Sequence, residues 1–458
     1  MKMKLTVKES LMVKPSKTTP YKRIWNSNLD LVVGRIHILT VYFYRPNGSS
    51  NFFDPAVLKE ALADVLVSFF PMAGRLGTDG DGRIEIICNS EGVLFVEAEA
   101  DCSVDDLGEI TPSPEVRRLV PTVDYSGDIC SYPLVITQVT RFKCGGVSLG
   151  CGLHHTLSDG LSSLHFINTW SDKARGLSVA VPPFFDRSLL RARDPPTPMF
   201  DHVEYHQPPS MITQSENQEA VSHPKSASTL MLRLTFGQIN DLKSKAKGDG
   251  STYYSTYEIL AAHLWRCACK SRGLSDNQPT KLYVATDGRS RMNPPLPPGY
   301  LGNVIFTATP IMKAGEFKSE PLGDTARRMH NELARMDDQY LRSAIDYLEL
   351  TPDLSTLVRG PSYFASPNLN VNSWTRLPIY DSDFGWGRPF SWDPQASFMR
   401  ARYISYRALV VIGVSRWQYA WTRITWLCLK NVCTISSDGY DPCNKTKNKI
   451  NANALICI

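Results

Sequence analysis

The sequence predicts an α/β protein of two domains, each with a mixed β-sheet flanked by helices. Its 458 residues exceed the size at which one hydrophobic core usually stops growing. Strand-like apolar runs and amphipathic helical segments recur in both halves. Between the halves, residues 191–228 are proline-rich, polar and aperiodic, which is typical of a crossover between domains. We therefore expect domains at 1–190 and 229–389, followed by a tail of different composition at 390–458.

The composition excludes several classes of function. Hydrophobic residues make up 42% and charged residues 21% of the chain, as in ordinary globular proteins. The net charge of +5 is spread without a dense basic block, so nucleic acid is not an expected partner. No apolar segment follows the N-terminal lysines, and no stretch approaches the roughly 18 apolar residues of a membrane span. We expect a cytosolic protein whose 11 scattered cysteines are small buried hydrophobes.

Local patterns in the first half predict two helices and several strands. The segment Asp54–Phe70 has a capping Asp54, Pro55 at the first helical position and apolar residues at helical spacing. Gly160–Ala174 has the same periodicity. Strands are predicted at Arg83–Cys88, Leu134–Val139 and Val147–Leu153.

The second half repeats this mixture of elements. It resumes with the strand-like run TLMLRLTF and continues with a helix at Tyr257–Cys269, for which Ser255 and Glu258 form a capping box. The run KLYVATD predicts a further strand. Both halves are therefore expected to contain helices packed on a sheet.

The motif HHTLSDG carries the candidate chemistry. His155 follows a predicted strand and precedes a predicted helix, a place where clefts form, and a neutral imidazole accepts a proton near neutral pH. Asp159 lies four residues later, where its carboxylate can bond to nearby backbone or to an arginine. We therefore take His155 as a candidate general base and Asp159 as structural support of the histidine loop.

Alone, this pattern is weak evidence for a catalytic site, since most histidines on apolar segments are ordinary core or surface residues. A zinc site of Cys151, His154, His155 and Asp159 is possible, but adjacent histidines point apart in an extended chain and no distant ligand cluster supports it. A serine hydrolase would need a G-x-S-x-G motif, which is absent. Direct attack by an acceptor is simpler than a covalent enzyme intermediate.

A second motif changes the balance of these interpretations. The segment Ser373–Pro389 contains DFGWG, and with HHTLSDG it resembles the paired signatures of the plant BAHD acyltransferases. The likeness covers Val7 to Pro389 through segments such as IWNSNLDLVV, FFPMAGRL, LLRARDPP and TDGRSRMNPPLPPGYLGNVIFTATP. Within that family, the chain is most similar to hydroxycinnamoyltransferases that use shikimate or quinate.

The resemblance implies two chloramphenicol-acetyltransferase-like domains with a channel between them for an acyl-CoA and an acceptor. His155 would deprotonate the acceptor hydroxyl, which attacks the thioester carbonyl and releases coenzyme A. Trp374 is implied as a donor to the oxyanion, although an indole is more often a core residue. Coenzyme A enters as a substrate, so no cofactor or metal is expected. A monomer is expected as well.

The acceptor is predicted from a few positions. Arg359 matches an arginine that clamps the acceptor carboxylate in relatives. Ile38 and Asn372 stand where shikimate-type relatives have threonine, and HHTLSDG replaces HHAADG. These departures indicate the quinate-preferring branch, so we expect transfer of a caffeoyl or p-coumaroyl group to quinate, with shikimate as the alternative. The residues expected to contact the substrate are Ile38, Thr40, Tyr42, Arg359 and Asn372.

Other residues are expected to support the site. Arg289 is implied as the partner of Asp159 across the two domains. Arg291 is a candidate contact for the CoA phosphates, although a solvated surface arginine is the more ordinary interpretation. In DFGWG the glycines would permit a tight turn, the aspartate would bind an arginine and the tryptophan would fill the core. These structural residues are Asp383, Gly385, Trp386 and Gly387.

The tail after Pro389 departs from the family pattern. The codons TTT TCA TGG GAC CCG CAA GCA can encode Phe390 to Ala396, and the same bases in another frame encode FMGPAS, which resembles the continuation in relatives. We infer a frameshifted tail. Such a tail is expected to leave the second domain without its terminal strands. The rival to an active enzyme is therefore a catalytically impaired allele, or a binding protein that keeps the scaffold without turnover.

Overall fold

The structure is a computed structural model that describes residues 3–108, 113–212, 231–247, 253–359, 364, 366–393, 399–400, 408–411 and 452–457. Within these ranges lie two large sheets and one small sheet, and each large sheet has its own hydrophobic core. The fully buried indole of Trp170 lies in the first core and that of Trp265 in the second. The predicted α/β class with mixed sheets flanked by helices is confirmed.

The described part of the first half supplies the strands β1 (Leu5–Val13), β2 (Lys22–Trp25), β3 (His37–Tyr44), β4 (Arg75–Thr78), β5 (Ile84–Cys88), β6 (Val93–Ala100), β7 (Val135–Phe142) and β8 (Val147–His154). Its helices are α1 (Asn28–Leu31), α2 (Pro55–Ser68), α3 (Pro114–Arg117) and α4 (Gly160–Ala174). The predicted strands and both predicted helices are confirmed, and Asp54 caps α2 by accepting a hydrogen bond from the backbone N–H of Ala56.

The second half supplies the strands β9 (Met231–Thr235), β10 (Pro279–Asp287), β11 (Ile305–Ala308), β12 (Ile311–Lys313), β13 (Leu369–Ser373), β14 (Ser391–Asp393), β15 (Met399–Arg400), β16 (Ala408–Val411) and β17 (Ala452–Cys457). Its helices are α5 (Phe236–Ala246), α6 (Thr256–Ser271), α7 (Glu316–Ser319), α8 (Leu322–Ala334) and α9 (Asp338–Glu349). Ser255 and Glu258 form the predicted capping box of α6.

The strand orders link the two halves. The first sheet has the order β1-β6-β7-β8-β3-β14-β15, in which only β6 and β7 are parallel among the described neighbours. The second has the order β11-β10-β13-β16-β17-β9, and β2, β5 and β4 form the small sheet. Since β14 and β15 come from the second half of the chain, that half completes the edge of the first sheet beside β3.

The crossover is described as far as residue 212, and residues 213–228 of the predicted linker lie outside the described residues. Its first part is tied to α9. The Arg193 side chain donates to the Asp346 carboxylate at 2.7 Å, and His202 Nε2 lies 2.8 Å from the Ser343 hydroxyl. The described crossover is therefore fixed to the second half.

The DFGWG segment forms the tight turn that its glycines predict. Gly385 and Gly387 have φ angles of +98° and +103°, a region that residues with a Cβ rarely adopt. Trp386 packs against Phe53 at a ring-centroid distance of 5.0 Å, so it fills the core as expected. The predicted arginine partner of Asp383 is wrong. Its carboxylate instead accepts from the backbone N–H groups of Gly385 and Gly387, both at 2.9 Å, because these donors lie in its own turn.

The tail also differs from its prediction. β16 pairs with β13, and β17 lies between β16 and β9. The expectation that the tail leaves the second sheet without terminal strands is therefore wrong for these two segments. Unpaired backbone groups at a sheet edge favour any strand-forming segment that reaches them, and ALVV and ALIC have apolar and β-branched residues. The rest of the tail, apart from Phe390, β14 and β15, lies outside the described residues.

No helix in the described ranges is long and apolar enough to cross a membrane. The monomeric state and the cytosolic location stay predictions.

We expect Asp383→Ala to lower the free energy of unfolding by about 1–3 kcal/mol, because two backbone donors lose a charged acceptor. Asp383→Asn keeps a side-chain oxygen at the same position and should lose less. Denaturant titration of the three proteins measures the difference. The turn packs beside Arg175, which follows α4, whereas His155 precedes α4. Folded Asp383→Ala should therefore keep its kcat, and a large loss of kcat would contradict a purely structural role.

Candidate active site

His155 lies directly after β8, at the edge where the first sheet meets the second half. The register pairs His154 of β8 with His37 of β3, and the backbone N–H of His155 donates to the carbonyl oxygen of Ile36 at 2.9 Å. The helix α4 begins five residues later, at Gly160. The imidazole is thus held at the junction of a central strand and a helix, which restricts its position more than a long loop would.

The neighbouring His154 belongs to the core. Its ring packs against those of His37 and Tyr132 at centroid distances of 5.2 and 5.7 Å. Burial raises the pKa of the Cys151 thiol, which disfavours the thiolate that a metal would need. Across the described ranges, no three His, Cys, Asp or Glu side chains lie close enough to hold a metal ion. The geometry therefore does not favour the zinc interpretation.

The surroundings of His155 favour a neutral imidazole. Burial is the main cause that lowers its pKa below the ordinary value, and the charge of Arg359 lowers the pKa further. Its own carbonyl oxygen, Asp159 and Asn303 act in the opposite direction without reversing the shift. The Nδ1 atom is buried without a hydrogen-bond partner, so Nε2 is the ring nitrogen on the partly exposed side. A neutral ring with an accessible nitrogen can accept a proton near neutral pH.

Asp159 is buried and joins the two halves of the chain. Its oxygens accept from Arg289 Nη1 at 2.8 Å, Arg289 Nη2 at 3.0 Å, the N–H of Val304 at 3.1 Å and the N–H of Ser162 at 3.0 Å. Burial alone would raise the pKa of Asp159, but the charge and hydrogen bonds of Arg289 lower it below the usual value. Asp159 is therefore an ionised cap of α4 whose carboxylate accepts four hydrogen bonds. Its oxygens have no free position from which to relay a proton.

A small cavity lies beside Gly160, between β3, β8 and α4. Five of the predicted site residues, Ile38, Thr40, Tyr42, Asp159 and Trp374, meet in its wall. Thr40 Oγ1 is buried and has no hydrogen-bond partner, so it is available to a polar group of a ligand. The lining residues are Ile38, Thr40, Tyr42, Leu153, Asp159, Gly160, Ser163, Leu164, Ile167 and Trp374.

Arg359 lies near His155 with part of its guanidinium unused. Its backbone N–H donates to the carbonyl oxygen of Val32 at 2.9 Å, beside the segment that leads into β3. Its Nε and Nη2 atoms are buried without a hydrogen-bond partner. Buried polar atoms are nearly always paired, so these two donors mark a place for an anion.

Asn372 and Arg291, like His155 and Arg359, are not among the residues that line the cavity. Asn372 is in β13, paired with Val411 of β16. Arg291 donates through Nη1 to the carbonyl oxygens of Leu333 and Met336 at the end of α8, each at 3.0 Å. A contact between Arg291 and CoA stays a prediction.

A second buried network lies around His155 and was not predicted from the sequence. Arg187 and Asp30 form an ion pair at 3.2 Å, and Asn303 bonds to both Asp30 and the carbonyl oxygen of His155. One signal was present in the sequence. Asp30 is an acidic residue inside the apolar run LDLVV, and an acidic residue in such a run predicts a buried partner.

The comparisons with known proteins agree with this geometry. A model of the Transferase family matches residues 3–408. The shikimate O-hydroxycinnamoyltransferase of Nicotiana tabacum is 60% identical over 393 residues, which cover 86% of this chain and 90% of that protein. A hydroxycinnamoyltransferase of Narcissus pseudonarcissus is 56% identical over 398 residues, with the same shares covered. The crystal structure of vinorine synthase matches with a TM-score of 0.64 and 25% identity, over 85% of this chain and 88% of that one.

The fold and the site define an acyl-CoA-dependent O-acyltransferase with two chloramphenicol-acetyltransferase-like domains. The chain belongs to the Transferase family, the BAHD acyltransferases.

We expect Asp159→Asn to lower the free energy of unfolding at pH 7 by about 3–5 kcal/mol, because Arg289 loses its buried counter-ion. The folded-state pKa of Asp159 is lowered, so its contribution is present above its unfolded pKa of about 3.9 and is lost as the pH falls through the folded value. The difference in free energy of unfolding between wild type and variant should therefore become smaller as the pH falls. Denaturant titration from pH 7 to pH 3 measures it.

Asp287→Asn is the matched control, since Asp287 bonds to the same Arg289 atom but is 43% exposed. Its effect should stay below about 1 kcal/mol. Equal losses in the two variants would contradict the special role of the buried pair.

Proposed function

We propose that this protein transfers a hydroxycinnamoyl group from coenzyme A to a hydroxyl of shikimate. The observation that carries the proposal is His155 beside Arg359, whose Nε and Nη2 donors are buried without a partner. Surroundings that lower the pKa of His155 favour its neutral form, and Leu153, two residues before it, lines a largely apolar cavity. The apolar wall suits the aromatic ring of the acyl group, and the free arginine donors suit an acceptor that carries a carboxylate. Relatives named as hydroxycinnamoyltransferases support the acyl group.

The reaction proceeds by direct attack of the acceptor. Nε2 of His155 takes the proton from the acceptor hydroxyl while its oxygen attacks the thioester carbonyl carbon. The tetrahedral oxyanion then collapses with cleavage of the C–S bond, giving the ester and CoA thiolate. The thiolate takes the proton back from the imidazolium, so the enzyme returns to its starting state. Trp374, in the cavity wall, is the candidate donor to the oxyanion. The acyl-CoA thioester is consumed as a substrate and coenzyme A is released, and the mechanism uses no cofactor.

Shikimate replaces quinate as the preferred acceptor in this proposal. The quinate preference was inferred from Ile38, from Asn372 and from HHTLSDG in place of HHAADG. Of the two single positions, only Ile38 lies in the cavity wall. The relative from Nicotiana tabacum is named for shikimate and is 60% identical. Both acceptors have the carboxylate that Arg359 would bind, so quinate is the competing substrate.

The role of His155 predicts the pH dependence of the rate. Protonation of the imidazole removes the base, so kcat/KM for p-coumaroyl-CoA and shikimate should fall as the pH decreases. The pKa of His155 is lowered, hence this decrease should occur below the ordinary histidine value of about 6.5. His155→Ala should reduce kcat by about 10²- to 10⁴-fold. CoA release followed over pH 4.5–9 measures both.

His206→Ala is the control, since His206 is a partly exposed histidine of the crossover. It should keep the wild-type profile. If the residual activity of His155→Ala still fell at low pH in the same way, the pH dependence would belong to another group.

If Arg359 binds the acceptor carboxylate, its removal should weaken the binding of a charged acceptor more than that of a neutral one. Arg359→Ala should raise KM for shikimate by about 10- to 100-fold, because a charge-assisted hydrogen bond contributes about 1.5–3 kcal/mol. The same variant should have little effect on methyl shikimate, which is neutral, or on KM for p-coumaroyl-CoA. Steady-state kinetics with both acceptors measures this. Equal losses with shikimate and its methyl ester would show that Arg359 does not bind the carboxylate.

A further inference from the structure

The three backbone carbonyls from His155 to Leu157 are each held by a side chain from elsewhere in the chain. Asn303 Nδ2 donates to the carbonyl oxygen of His155 at 2.7 Å. Arg187 Nη1 donates to that of Thr156 at 3.4 Å, and Arg187 Nη2 donates to that of Leu157. The segment that carries the imidazole is therefore fixed at three successive peptide groups.

The two donors are joined through one carboxylate. Asp30 Oδ1 accepts from the backbone N–H of Asn303 at 2.7 Å and from its Nδ2 at 2.9 Å, and Asp30 Oδ2 lies 3.2 Å from Arg187 Nη1. The same Oδ2 atom accepts from the Ser27 hydroxyl at 2.7 Å, which fixes α1. Arg187, Asp30 and Asn303 are all buried. We call these three residues the clamp.

Stability alone does not explain such a network. Moving a guanidinium and a carboxylate out of water costs several kcal/mol for each ion, and well-packed apolar residues of similar volume are often as stable. A paired polar network does fix its members in one geometry. Apart from Asn303 Oδ1, which is buried without a partner, the side-chain nitrogen and oxygen atoms of the clamp are all hydrogen-bonded or ion-paired. The clamp joins α1, the turn at Arg187–Leu190 that ends the first half, and the segment before β11, and it contacts the backbone at the residue that carries the base.

We propose that Arg187, Asp30 and Asn303 are positioning residues that hold the His155 backbone so that Nε2 faces the acceptor hydroxyl. This inference rests on the proposed role of His155 as the base. None of the three clamp residues lines the cavity, and their bonds near the site go to the backbone of residues 155–157, so the clamp acts through the histidine. Loss of the clamp is expected to lower kcat while KM for the acyl-CoA stays close to wild type, because a displacement of about 1 Å at a reacting group can cost about 10²-fold in rate.

Two variants test the clamp. Arg187→Lys keeps the buried charge beside Asp30 but lacks the fork that reaches two carbonyls at once. Asn303→Ala removes the donor to the His155 carbonyl. We expect kcat to fall by about 10- to 100-fold in each, with KM for p-coumaroyl-CoA within about two-fold of wild type. The measurements are steady-state kinetics, the melting transition and the pH-dependent rate at which diethyl pyrocarbonate modifies His155, followed by peptide mass spectrometry.

Ser343→Ala is the matched control, since Ser343 lies in an equally buried network with His202 at 2.8 Å, away from His155. It should lower the melting temperature but leave kcat and the modification rate of His155 unchanged. If Asn303→Ala is recovered unfolded, Arg187→Lys decides the question, because its buried charge stays paired.

Wild-type kcat and wild-type His155 reactivity in a folded, destabilised Arg187→Lys would overturn the proposal. The reactivity of His155 is measured without substrate. An inactive wild-type protein would therefore count against the proposed function, while altered reactivity in the variants would still support the clamp.

Discussion

The buried ion pair between Asp159 and Arg289 is the interaction on which the site depends. Asp159 ends the segment that carries His155, whereas Arg289 follows β10 in the second half. Each of the four acceptor positions of the carboxylate is filled, two by the guanidinium, one by the N-terminus of α4 and one by the N–H of Val304. Because the pair is nearly removed from water, its attraction is strong and its loss would leave a buried charge. The position of His155 and the contact between the halves are therefore set together.

The charges around His155 divide into two kinds. Asp159 and Arg289 neutralise each other, as do Asp30 and Arg187, so both pairs fix the backbone without a net charge beside the imidazole. Arg359 differs, since two of its buried donors have no partner. An anionic acceptor would complete this arrangement, and its carboxylate would be drawn to the side of the cavity where the base lies.

Local features were the most predictable from the sequence. The boundaries of α4 followed from its periodicity, and the turn at Gly385 and Gly387 followed from glycine alone. The partner of Asp383 was predicted wrongly, because nearby N–H groups satisfy a carboxylate before a distant arginine does. The clamp was missed because residues 30, 187 and 303 are far apart in sequence, and no local pattern shows which buried charges meet. The pairing of β16 and β17 in the second sheet was missed for the same reason. It joins segments that are far apart in the chain, and no local pattern in the sequence shows that they meet.

The most direct test of the account is a crystal structure of the protein with shikimate and coenzyme A bound. The account predicts the shikimate carboxylate on the free donors of Arg359 and one ring hydroxyl within about 3 Å of Nε2 of His155. A complex in which the carboxylate lies away from Arg359 and no hydroxyl approaches His155 would contradict the assignment of the base and of the acceptor together.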